Sequence, residues 1–117
     1  MKALQQVLIS KGYTVYIPDE DDIDYDSLTD EQQVALKGQY IDAHLGYIKQ
    51  SDAILVANFA KNGIDGYIGA NTLMEIAFAY VLGKRLFVLN EVGEQGCRLE
   101  ILGMQPVILN GDLTLLT

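Results

Sequence analysis

Residues 53–75 constrain this chain more than any other stretch. Ala53-Ile54-Leu55-Val56-Ala57-Asn58 is an apolar run closed by an amide. Unbroken apolarity over so few residues suits a parallel strand covered on both faces, because a strand with one wet face would alternate. Asn62-Gly63-Ile64-Asp65-Gly66-Tyr67-Ile68-Gly69 follows, with a glycine at every third position from Gly63. Asn71-Thr72-Leu73-Met74-Glu75 then opens a helix pattern, and a carboxylate is expected in its first turn. Strand, glycine loop and helix start, in that order, bring free N–H groups to the rim of a sheet. That is a common small-molecule site in α/β proteins.

The rest of the chain extends the same alternation. Residues 2–11 read as a helix with Leu4, Val7 and Leu8 on one face and Gly12 at the C′ position that ends it. Thr14-Val15-Tyr16-Ile17 reads as a short strand stopped by Pro18. The segment Asp19 to Asp26 is an acidic loop. Thr29-Asp30-Glu31-Gln32 has capping-box spacing, and a helix is expected from there to Gln50 with Val34, Ile41, Leu45 and Ile48 as its apolar stripe. A helix is expected over 71–82, with Leu73, Ile76, Ala77, Tyr80 and Val81 facing inward and Gly83 as its cap. Leu86-Phe87-Val88-Leu89 is a further buried strand, a short helix lies near 95–103, and Val107-Ile108-Leu109 is the last strand.

Alternating helices and strands predict one α/β domain over 1–117, a three-layer sandwich with a mainly parallel sheet of about four strands. Ligands are then expected at the carboxyl ends of the strands, where Asn58, the 61–69 loop, Asn90 and Asn110 fall. The chain opens in a helix where most doubly wound folds open in a central strand. Either four strands suffice, or a strand belongs before Met1.

Charge and composition narrow the partners. Of the 117 residues half are apolar, and the formal net charge is −8. Lys84 and Arg85 are the only adjacent cations, so binding to nucleic acid through its phosphates is not expected. One cysteine, Cys97, allows no internal disulfide, and with the single His44 it makes no Cys/His zinc cluster. No apolar run is as long as a membrane span and no signal peptide is visible, so a cytoplasmic location without a membrane partner is expected.

Several segments together carry a family likeness. They are Ser51 to Asn58, Asn62-Gly63-Ile64, Tyr67 to Tyr80, Gly83-Lys84, Glu100 to Pro106 and Leu109 to Leu113. Over roughly residues 44–113 the chain resembles a largely uncharacterised branch of the nucleoside 2-deoxyribosyltransferase-like superfamily. The resemblance implies a Rossmann-like, flavodoxin-like sheet, a homo-oligomer with composite sites, and chemistry at the N-glycosidic bond of a nucleoside or nucleotide. No cofactor and no metal are expected. Glu75 matches the glutamate that attacks the anomeric carbon in those enzymes. The acids that handle the base in the characterised transferases are replaced here by Asn58 and Gly69, so water is the expected acceptor. The family's first strand, with its glycine turn, would lie upstream of Met1.

Each candidate residue also has a plainer reading. Glu75 is either a nucleophile held ionised near a helix N-terminus or the reciprocal partner in a Thr72-to-Glu75 capping box. Gly63, Gly66 and Gly69 either let backbone approach a sugar or serve turns that need positive φ. Asn58 and Asn90 either bond a base or ribose or make turns after strands, and a turn is favoured for Asn110. Asn71 and Thr72 open the helix beside the loop, and Tyr67 either stacks on a base or packs over the sheet end. His44 reads as a packed or interface histidine, Cys97 as inert, and the acidic loop as solvated rather than metal-binding. The expected function is nucleoside or nucleotide binding, with N-glycoside hydrolysis or deoxyribosyl transfer through Glu75. The alternative is a non-catalytic nucleotide-binding or assembly module. Homodimerisation is expected through helices 30–50 and 71–82.

Overall fold

The computed structural model describes residues 2–14 and 25–116. The expected strand at 14–17, apart from Thr14, lies outside the described residues, as does most of the acidic loop. The chain divides into two compact units, Met1–Tyr47 and Ile48–Thr117. Within the described residues it is an α/β protein with a small parallel sheet.

The elements described in the first unit are helices. Helix α1, Lys2–Ser10, ends as its sequence requires. Gly12 takes φ 92, its N–H bonds Ile9 O and the Tyr13 N–H bonds Leu8 O. Those two bonds define a Schellman motif, which a left-handed residue at C′ makes available. Helix α2, Asp30–Gln50, runs on into the second unit. Its start is a complete capping box: Thr29 N–H donates to Gln32 Oε1 at 2.9 Å and Gln32 N–H to Thr29 Oγ1 at 3.2 Å. The expected stripe on α2 needs correction at Val34, which is 72% exposed. Lys37 and Gly38 occupy the turn between Val34 and Ile41, so the apolar row is broken there. Lys37, Tyr40, His44 and Tyr47 share another face of α2. His44 stacks on Tyr40 with centroids 3.9 Å apart and meets Tyr47 edge-on at 6.0 Å, while Lys37 Nζ lies 4.9 Å from the centre of the Tyr40 ring.

The second unit holds the sheet. Strands β1 (Ala53–Val56), β2 (Arg85–Val88) and β3 (Val107–Ile108) are parallel in the order β1-β2-β3. Ala53 is level with Arg85 and Val56 with Val88, and Phe87 is level with Val107. Ladder bonds continue past the strand ends, from Leu89 N–H to Val56 O and from Leu109 N–H to Val88 O. Helix α3, Ala70–Val81, connects β1 to β2, and α4, Arg98–Gly103, connects β2 to β3.

Alternation along the strands sorts the core. Ile54, Val56, Leu86, Val88 and Ile108 fall on one face and pack with Leu73 and Ile76 of α3 and Ile101 and Leu102 of α4. One face for both connecting helices is what two crossovers of the same hand impose on a sheet ordered 1-2-3. Phe87, Leu89 and Leu109 on the opposite face are also buried, which accounts for the unbroken apolarity of β2.

Helix α3 is turned from its expected orientation. Ile76 and Ala79 are fully buried, whereas Tyr80 and Val81 are 56% and 81% exposed. The inward face is Leu73-Ile76-Ala79, rotated by roughly 70° from the expected stripe at 100° per residue. This helix is apolar nearly all round, so periodicity selects its face poorly. The small Ala79 sets the side that approaches the sheet. Gly83 closes α3 with φ 71 and the same pair of bonds seen at α1, to Tyr80 O and, from the Lys84 N–H, to Ala79 O.

Candidate functional site

The loops at the carboxyl ends of β1 and β2 are bonded to one another. Asn58, 2% exposed, is the centre of this join. Its Nδ2 donates to Asn90 O at 2.9 Å and Glu91 O at 3.3 Å, and its Oδ1 accepts the Asn90 N–H at 2.8 Å. Asn90 Nδ2 returns a bond to Asn58 O at 3.3 Å. Both amide hydrogens of Asn58 are thereby engaged by backbone. An amide that joins two loops is a different role from the base-binding one considered from sequence, and a carboxylate could not reproduce it.

The glycines divide by task. Asn62 and Gly63 take φ 54 and 74 between two bonds linking Lys61 and Ile64, an Asn-Gly hairpin turn of the primed kind. Gly66, at φ 69, passes so close to the next loop that a Cβ there would strike the Glu91 carbonyl oxygen. A Cβ on Gly93 would strike the Asp65 carbonyl oxygen in turn, and Gly93 N–H donates to Gly66 O at 3.1 Å. Gln95 completes the join: its Oε1 accepts the Ile68 N–H at 3.2 Å and its Nε2 donates to Gly66 O at 3.4 Å. Those bonds hold 94–97 in a turn, which is why α4 starts at Arg98 and not near 95. Gly93 and Gln95 carry no sequence signal as strong as the glycine spacing before α3, and only the fold reveals their part.

Helix α3 begins earlier than expected, and this changes the position of Glu75. Gly69 is the N-cap, in extended backbone with no side-chain cap, and no acidic residue lies in the first turn. Thr72 is therefore the third helical residue and Glu75 the sixth. The capping-box alternative for Glu75 falls, and so does its expected place in the first turn. The field of the helix terminus fades within that turn, so little of it reaches Glu75. Asn71 and Thr72 are part-buried in the opening turn, and Glu75 is part-buried in the second. The Tyr67 ring lies over Gly69, its Cε1 within 3.5 Å of where a Cβ would stand.

A hollow of about 470 Å³ opens on this rim. The β1–α3 loop lines it with Gly63, Ile64 and Asp65, and the segment after β2 with Glu91 to Glu94 and Arg98. Three carboxylates thus face one guanidinium. Arg98 Nε is buried without a hydrogen bond and has the Glu94 carboxylate 3.7 Å away. A second hollow of about 610 Å³ lies at the opposite, amino ends of β2 and β3. Of the sequence candidates only Gly63 lines the rim hollow; Glu75 lines neither. Asn58 and Asn90 are joined to each other beneath the rim, and Asn110 turns the chain after β3 at φ 51. Cys97 packs against the core.

The chain matches no family model, no curated protein and no solved structure. Among the described residues no helix is long and apolar enough to cross a membrane, and no His/Cys/Asp/Glu group has metal-binding geometry.

Proposed function

We propose that the chain is a nucleoside-binding protein built as a flavodoxin-like three-layer sandwich, related to the deoxyribosyltransferase-like proteins it resembles. The observation that carries this reading is the hollow at the carboxyl rim, lined in part by the glycine loop that leads from β1 into α3. Its volume falls in the range of small-molecule sites. Its acidic lining favours an uncharged nucleoside over a phosphorylated one: carboxylates accept bonds from sugar hydroxyls and exocyclic amines and repel phosphate.

In the catalytic form of the proposal Glu75 is the nucleophile. A carboxylate oxygen bonds the anomeric carbon as the C1′–N bond breaks, the base leaves with the bonding pair and takes a proton from solvent, and water then releases the sugar. One observation favours the second reading, a binder without chemistry: Glu75 lies in the second turn of α3, outside both hollows. Incubation with deoxynucleosides and their monophosphates, followed by chromatography of free base, separates the two. Base release that disappears in Glu75→Ala and Glu75→Gln supports the enzyme. Thermal stabilisation by a nucleoside without base release supports the binder, and neither signal removes both.

We also propose a homodimer. Tyr80, Val81 and Leu82 leave large apolar side chains exposed at the end of α3, and clustered exposed apolar side chains mark contact surfaces.

A further inference from the structure

We propose that the hollow at the amino ends of β2 and β3 is a separate binding site for a small anion with an aromatic or apolar body. Lys84 and Arg85 both line it, with Tyr80 and the apolar Met104 and Val107. Among the described residues no carboxylate lines it, although acids outnumber bases 16 to 8 in the chain. The one adjacent pair of cations in the chain thus lines a hollow where the described residues place no acid. Two like charges side by side raise the local concentration of anions. At about 610 Å³ the space is the size of a ligand pocket.

The plainer reading of Lys84 and Arg85 is that they offset the carbonyl end of α3. That end carries about half a charge, and its last carbonyls already accept bonds from Gly83 and Lys84. Two full cations exceed that requirement.

Gln105 is a second, independent mark of function. It holds φ 58 and closes α4, its N–H donating to Leu102 O at 3.0 Å. The same left-handed position after α1 and α3 is glycine, at Gly12 and Gly83. Here a glutamine lines the hollow in a conformation that favours glycine. A side chain kept against backbone preference is explained if its amide serves a ligand.

The site is at the opposite end of the sheet from the proposed nucleoside site and does not rest on it. The test is an amide NMR titration of the whole chain with phenyl phosphate, with benzyl alcohol as the neutral comparison. Phenyl phosphate is expected to shift Gly83–Phe87 and Met104–Val107, with a dissociation constant on the order of 1 mM for so small a probe. Benzyl alcohol is expected to bind at least tenfold more weakly, and Lys84→Gln/Arg85→Gln to lose most of the phenyl phosphate affinity. Gln105→Gly is expected to raise the melting temperature while weakening binding, which a purely structural glutamine would not do. Shifts scattered over the surface or centred on the carboxyl rim, equal binding of both probes, or unchanged affinity in the double variant would overturn the proposal.

Discussion

At the scale of single residues, the rim of the sheet is governed by hydrogen-bond satisfaction and close backbone approach. Asn58→Ala leaves the Asn90 N–H and two carbonyls without their buried partner, and a loss of about 2–3 kcal/mol is expected in urea unfolding. Asn58→Asp sets an acceptor against the Asn90 and Glu91 carbonyls. Its carboxyl would have a raised folded-state pKa, so the folded state binds the extra proton and the variant gains stability as pH falls through that value. Asn58→Asp is therefore expected to melt closer to the parent at pH 5 than at pH 7, and the reverse order would contradict the hydrogen-bond assignment. Gly63 and Gly66 both have positive φ, yet only Gly66 touches another loop. Gly63→Ala is expected to lose about 1 kcal/mol from backbone strain alone, and Gly66→Ala about 3 kcal/mol as the loops separate. Equal losses would mean that the two loops are not interlocked.

At the scale of elements, the ends of α1 and α3 and the start of α2 were legible because their signals are local. Thr29 with Gln32, Gly12 and Gly83 each act within a few residues, and each does what its spacing implies. The buried strands were legible for a related reason: a short, unbroken apolar run has few alternatives to a strand covered on both faces. The orientation of α3 was not legible, since a helix apolar on most sides is oriented by what it meets in space. The position of Glu75 was misread with it, because Gly69 rather than Thr72 caps the helix. Gln95 and Gly93 were missed because their partners lie more than 25 residues away in sequence, at Gly66 and Ile68. The rotated face can be checked directly. Ile76→Ala is expected to destabilise by about 3–4 kcal/mol and Val81→Lys, measured at a dilution where the chain is monomeric, by less than about 0.5. Comparable losses at the two sites would restore the face expected from periodicity.

At the scale of the whole molecule, the two hollows sit at opposite ends of one parallel sheet and differ in charge. Among the described residues the carboxyl-rim hollow has three carboxylates and one guanidinium, and the amino-end hollow has two cations and no acid. Neutral and anionic ligands should therefore divide between them. Exposed apolar side chains on α3 bear on assembly at this scale. Sedimentation at micromolar concentration is expected to give a dimer that Val81→Lys shifts to monomer; a parent chain that is monomeric throughout would contradict that interface. The most direct measurement of the central claim is an amide NMR titration with an unphosphorylated deoxynucleoside. Shifts confined to Gly63–Gly69 and Asn90–Gln95, with Gly83–Phe87 unmoved, are expected. No response at millimolar ligand, or a response centred away from the carboxyl rim, would contradict it.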